Sequence, residues 1–333
     1  MDAPGKTAVL SLLALSFVAS VAVADTQQTV IWQAQASRAI AISPDAQRML
    51  TGIQLRHTSD GSLVRTFLFG YSGGSVDAVA FSPDGTLAAF GVQAFNRNLF
   101  LFRTDGTKLA GPISAHNNGT TCVAFSPDGT LLASGGRDGT VKLWHLPDMA
   151  LVRTLNGGVG YRPRVFALVF SRDGSNVGLG GQGGILTYRV SDGQLLGQLS
   201  TVSTLSMALA PDGTLVAAGF NQIDQYGQCT DCSIRIWRTS DGALVRTIPG
   251  NNNGVTSLAF SPDQKELAAG AGDRVYSGSV RFFSVATGAL LGTWLQDPNN
   301  GSSYVTKVAY APFGNLFAYA RADAKVVAAF DPF

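Results

Sequence analysis

Short apolar runs recur along the chain, and a turn signal follows each one. VDAVAF (76–81), TTCVAF (120–125), VFALVF (165–170) and VTSLAF (255–260) have the nearly continuous apolar character of a strand covered on both faces. Ser-Pro-Asp-Gly or a near relative follows, beginning at Ser43, Ser82, Ser126, Ser171, Ala210, Ser261 and Ala311. Pro sets φ for the second turn position, Asp bonds back to nearby backbone, and Gly accepts positive φ, so the tetrapeptide predicts a hairpin turn. A second strand such as TLLASGG (130–136) comes next, then a third such as VKLWHL (141–146). Another turn begins at Ser59, Thr104, Ser191, Ser240 or Ala286, and leads into a fourth strand such as ALVRTL (150–155). The copies repeat every 39 to 51 residues, which suits four short strands and three turns. One such unit cannot bury both of its faces, so the units must stack around a ring.

The two ends predict how the ring closes. The seventh unit stops at its third strand, KVVAAFDPF (325–333), while TVIWQ (29–33) precedes the first unit as an orphan strand. Pairing these two completes the last blade and removes an exposed edge. The expected fold is all-β: a seven-bladed β-propeller of four-stranded antiparallel blades, closed by the N-terminal strand and forming one domain over residues 25–333.

The third unit reads AHNNGTTCVAFSPDGTLLASGGRDGTVKLW (115–144) and resembles a WD40 repeat. The resemblance implies a structural hydrogen-bond network at His116, Ser134, Asp138 and Trp144. Only the fifth unit keeps a matching Trp, Trp237, and Arg-Asp-Gly-Thr occurs only in the third. The likeness therefore covers the whole repeat region in rhythm and the third unit in motif detail. It implies a scaffold rather than an enzyme, with no cofactor.

Residues 1–24 read as a signal peptide. Lys6 supplies a short basic region, weakened by Asp2, and Ala8 to Val21 form an apolar run. Ala22-Val23-Ala24 then offers a small-x-small cleavage site before Asp25. An uncleaved anchor is the alternative, but the run is short for a span, which takes about 20 apolar residues. The expectation is a protein exported to the periplasm or secreted after cleavage behind Ala24, without a membrane span thereafter, and from a bacterial source.

Charge narrows the partners. The 333 residues include 24 Lys or Arg and 22 Asp or Glu, a net +2, and only 14% are charged. That balance gives no electrostatic footprint for nucleic acid, and 45% hydrophobic content argues against disorder.

Loop lengths point to one face. The first-to-second and third-to-fourth turns are uniform. The second-to-third loops lengthen at 92–98, 220–232 and 271–278, and the blade-to-blade links at 69–75, 156–164 and 296–304. Both variable sets meet on one rim, where extensions cost little stability and can carry function. They present Tyr71, Phe95, Arg97, Tyr161, Arg162, Arg164, Tyr226, Tyr276 and Tyr304, residue types that often anchor binding. A protein, peptide or glycan would dock there on a monomeric ring. Drifting loops whose aromatics merely cap the rim are the bland alternative.

Other constellations read as structural. Cys229 and Cys232, within the longest loop, predict a local disulfide in an exported protein, with a free or metal-binding pair as alternatives. Cys122 shares its column with Ala39, Ala78, Ala167, Ser206, Ser257 and Lys307, so it reads as a packing thiol. Lys307 would meet an anion near the central channel or reach solvent. His116 beside Ser134 tempts as a general base, but nothing supplies an oxyanion hole or nucleophile elbow. His57 and His145 show no partners. No metal, phosphate-loop or paired-carboxylate spacing occurs, and Asn251 to Asn253 read as a turn-rich loop. A hydrolase or lyase site at the channel mouth is the alternative function.

Overall fold

A computed structural model describes residues 29–35, 38–70, 74–96, 98–157, 164–225, 229–249, 254–272, 278–295, 304–323 and 325–330. Seven four-stranded antiparallel sheets form the blades. Their first strands are Ile40–Ile42, Val76–Phe81, Thr120–Phe125, Val165–Phe170, Thr204–Leu209, Val255–Phe260 and Val305–Tyr310. Each first strand touches those of both neighbouring blades, so together they enclose a central channel.

The orphan N-terminal strand closes the ring. Val30–Gln35 pairs antiparallel with Lys325–Phe330 and becomes the fourth strand of blade seven, with Gln33 opposite Val327. The strand runs two residues beyond the apolar segment that predicted it. A register shift between Val30 and Trp32 re-aims the strand, and Trp32 is buried there, donating its indole N–H to Thr58 O of blade one at 2.8 Å.

No single core exists. The buried apolar residues form seven clusters, each drawn from a pair of adjacent blades. Between blades one and two the contact is largely aromatic: Phe67, Phe90 and Phe102 meet with ring centroids 4.9 to 5.7 Å apart. Between six and seven, Phe282, Trp294 and Phe317 meet at 4.8 to 5.4 Å. Stability is thus distributed over interfaces, as in other repeat folds.

The uniform turns owe their shape to a residue whose part the sequence does not announce. In blade three the Ser126 hydroxyl donates to Asp128 Oδ1 at 2.5 Å and accepts the Leu131 N–H at 2.9 Å, and Asp128 accepts the Thr130 N–H at 3.1 Å. Ser43, Ser82, Ser171 and Ser261 repeat the pattern. Hydrogen bonds from the turn serines hold Asp45, Asp84 and Asp128 below the usual carboxylate range, and bring Asp173 down to about 2. Gly129 sits at φ 72° in this turn, where a β-carbon would be strained.

A second device joins neighbouring blades at every other interface. The fourth strands of blades one, three and five carry Arg65, Arg153 and Arg246, while blades two, four and six carry Ala110, Gly197 and Gly292 at the matching position. Arg153 donates to the carbonyls of Asp192 (2.7 Å) and Ser191 (2.9 Å) in the next blade's turn. Arg246 does the same to Thr287 (2.8 Å) and Ala286. The receiving glycines, Gly193 and Gly288, leave room for the arginine stem, because a β-carbon there would lie 2.5 and 2.9 Å from it. Arg153→Ala is expected to lower unfolding free energy by about 1–2 kcal/mol, the scale of two lost hydrogen bonds to a charged donor. Arg189→Ala, which removes only exposed contacts with Asp192 and Gln194 in its own turn, should stay within about 0.5 kcal/mol. Parallel denaturant titrations of the two variants check the difference.

Candidate binding face

The residue preceding the small-residue column in each first strand forms a second column: Arg38, Asp77, Thr121, Phe166, Leu205, Thr256 and Thr306. All seven, one from each blade, line a depression of about 490 Å³. It is the mouth of the channel. Gln93, Arg137, Arg164 and Tyr304 also line it, all from links or second-to-third loops, so it opens on the variable-loop face.

The threonines of this column stitch blades together. Thr121 donates its hydroxyl to Val165 O, Thr256 to Val305 O at 2.5 Å, and Thr306 to Arg38 O at 2.8 Å. Where blade two has Asp77, the carboxylate accepts from Ser75 Oγ at 2.8 Å and pairs with Arg137 Nη2 at 3.3 Å.

A cleft of about 780 Å³ adjoins the mouth and shares Gln93, Arg137 and Arg164 with it. Its other lining residues include Phe95, Asn117, Asn118 and Asp138. Phe95 is 76% exposed, an isolated ring held out over polar ground. A crevice of about 130 Å³ elsewhere, between blades four and five, is lined by Phe170, Leu199 and Met207 and reads as a packing gap.

Beneath the cleft lies the blade-three network. His116 Nδ1 meets Asp138 Oδ1 at 3.0 Å and its Nε2 meets Ser134 Oγ at 2.8 Å, while Trp144 donates its indole N–H to the same Ser134 oxygen at 2.9 Å. Asp138 also accepts from the Asn117 N–H and Thr140 Oγ1. Burial alone would raise the Asp138 carboxyl, but the His116 contact and these donors outweigh it and hold it well below the usual range. The His116 ring packs against Gly136, where a β-carbon would come within 2.3 Å. These contacts fix the link before blade three to the following turn, and Asp138 also lines the cleft above.

Of the loop residues selected from sequence, the structure brings Phe95 and Arg164 to the cleft, and Arg164 and Tyr304 to the mouth. Tyr71, Arg97, Tyr161, Arg162, Tyr226 and Tyr276 lie outside the described residues. Sequence reasoning missed Arg38 and Asp77, which reading the first-strand column one residue earlier would have exposed, and Gln93 and Arg137, which follow the second strands of blades two and three. His145 proves to have a partner, Asp148, at 2.9 Å in its own turn. The loop at 220–232 contains a small hairpin, Gln222–Ile223 against Cys229–Asp231. The Cα atoms of Cys229 and Cys232 are 6.0 Å apart, within reach of a disulfide. Cys122 is buried, and burial pushes its thiol up to about 12. Among the described residues no group of three His, Cys, Asp or Glu side chains could hold a metal ion, and no helix is long and apolar enough to cross a membrane.

These features place the chain among closed seven-bladed propellers with a variable-loop face centred on the channel. Residues 107–145 and 242–284 match the family model described as WD domain, G-beta repeat. Each match starts beside a fourth strand and ends in the third strand of the next blade, so the sequence unit is staggered by one strand against the structural one. With seven blades and that stagger closed by the N-terminal strand, the chain is a WD40-repeat β-propeller. It is similar to autophagy-related protein 16 of Arabidopsis thaliana, 21% identical over 68% of this chain and 50% of that protein. Telomerase protein component 1 of Mus musculus is 29% identical over 66% of this chain and 8% of its own length. The periodic tryptophan protein 2 homolog of Neurospora crassa is 30% identical over 35% of this chain and 11% of its own. The chain spans half or less of the length of these relatives.

Proposed function

We propose that this protein is an exported, non-catalytic interaction scaffold that docks a protein or peptide on its variable-loop face, at the channel mouth and the cleft beside it. The observation that carries the reading is the convergence of both cavities on one face, with an exposed Phe95 beside Arg137 and Arg164. Aromatic and arginine side chains over a rigid support are the usual anchors of such contacts. The WD40 relatives, named for autophagy and for a telomerase component, support a scaffold role.

Export belongs to the same proposal. The leader would be removed behind Ala24, and Cys229–Cys232 would be oxidised in the destination compartment. Intact mass before and after reduction and alkylation tests both: a mature chain starting at Asp25 and a thiol count that rises by two. A chain retaining residues 1–24 would sink the export reading.

Docking is tested by affinity capture from the producing cell's envelope and medium, followed by reconstitution with the purified partner. Phe95→Ala combined with Arg164→Glu should weaken the reconstituted complex by about tenfold or more. Equal affinity of the native protein and the double variant would overturn the face assignment.

A further inference from the structure

We propose that the channel mouth is a receptor for a carboxylate, and that the docked partner presents an acidic peptide segment whose Asp or Glu side chain enters the mouth toward Lys307. This rests on the docking face proposed above and names the chemistry it selects.

The argument begins with a column that breaks its own rule. Six blades put a small residue at this position of the first strand: Ala39, Ala78, Cys122, Ala167, Ser206 and Ser257, all at most 9% exposed. The seventh blade puts Lys307 there. The small residues are packed away between the blades, whereas the long cationic side chain of Lys307 is only half-buried and lines the mouth. Desolvation disfavours its charged form and lowers its pKa from the ordinary lysine value. No hydrogen bond or ion pair joins its ammonium to another described residue.

Neighbouring groups do not neutralise it. Cys122 is buried nearby, but burial pushes its thiol up to about 12, so it carries no charge near neutrality. Asp77 acts on Lys307 electrostatically, yet that carboxylate is already engaged by Arg137 and Ser75. Arg38 and Arg164 line the same mouth. Arg38 uses its Nε–H on Ala322 O at 3.0 Å, and the Arg164 guanidinium has no hydrogen-bond partner among the described residues. Four cations and one carboxylate therefore meet in about 490 Å³ of a protein whose whole net charge is +2. A partly desolvated cation without a counterion is costly to keep and is relieved by an arriving anion.

The surroundings favour a peptide over a free ion. The mouth runs without a break into the larger cleft through Gln93, Arg137 and Arg164. There the Gln93, Asn117 and Asn118 amides can each donate to and accept from an extended backbone, and Phe95 offers an apolar stop. An acidic side chain at Lys307 with its backbone along the amides would use both cavities at once.

The test is fluorescence anisotropy of the purified protein with fluorescein-labelled hexaglutamate, against equally labelled hexaglutamine and against inorganic phosphate alone. Hexaglutamate should bind saturably, lose affinity as salt rises, and exceed hexaglutamine by about tenfold or more. Lys307→Met should weaken it about tenfold while keeping or raising thermal stability, since a desolvated charge is removed. Arg164→Gln should also weaken it, and Arg189→Gln, in an exposed turn on the other face, should not. Binding unchanged in both Lys307→Met and Arg164→Gln, or equal for the two peptides, would overturn the proposal. So would saturable phosphate binding at Lys307 without hexaglutamate binding, which would replace the peptide by a free phosphate ligand. If a reconstituted partner is lost on Phe95→Ala with Arg164→Glu but is not displaced by hexaglutamate, the docking face stands and the acidic-peptide assignment fails.

Discussion

Trp32→Ala is expected to lower the unfolding free energy by about 3–5 kcal/mol, the range for truncating a buried tryptophan. Trp32 belongs to the closing strand and packs in the cluster between blades seven and one with Ile40, Met49 and Val326. Its ring lies against Gly61, where a β-carbon would come within 2.6 Å, and its N–H is tied to Thr58 O. Truncation thus empties an interface and orphans a carbonyl in the neighbouring blade. Removing residues 29–35 altogether should do more, because Lys325–Phe330 then becomes an open edge and one of seven interfaces is broken. Guanidinium titration of the native protein, Trp32→Ala and the deletion checks this. Native-like cooperativity and midpoint in the deletion would show that the ring does not depend on this strand for closure.

Closure was legible because it needs only counting: a unit lacking a fourth strand at one end and a spare strand at the other. The blades were legible for a similar reason, since apolar runs and Ser-Pro-Asp-Gly turns are local signals repeated seven times. What the local pattern hides is contact between units. Arg153 and Arg246 stand in exposed strands that read as LVRT repeats, and only the ring brings the next blade's turn carbonyls beneath their guanidinium groups. Arg38 and Arg137 are separated by 99 positions and belong to different motifs, yet ring curvature sets both at one mouth. Phe95, Arg164 and Tyr304 were found because loop length marks the variable face. Their companions on the first strands carry no length signal. They become visible only when the seven first strands are aligned, where Arg38 and Asp77 depart from one column and Lys307 from the next.

The blade-three network should make stability depend on acid in a way that identifies its members. Asp138→Ala is expected to cost about 2–3 kcal/mol near neutral pH, because it removes the charged partner of the buried His116 ring, leaving its Nδ1 only the longer contact to Thr140 Oγ1, and orphans the Asn117 N–H. Ser134→Ala should cost about 1–3 kcal/mol by orphaning His116 Nε2 and the Trp144 indole together. Both act through His116, so the double variant should cost less than the two single costs added. The sign of the pH effect follows from the direction of the Asp138 shift. Its folded pKa lies below the unfolded one, so its contribution is fully present above about pH 4 and is lost as pH falls through the lower folded value. Asp45, Asp84, Asp128 and Asp173 in the serine turns shift the same way, so native stability should decline steeply below about pH 4. In Asp138→Ala that decline should be shallower, with the gap between variant and native narrowing as acid is added. Urea titrations of both proteins from neutral pH down to about pH 3 measure the gap. A gap that stays constant across that range would mean Asp138 stabilises the blade by shape and hydrogen bonding alone, with its ionisation playing no part.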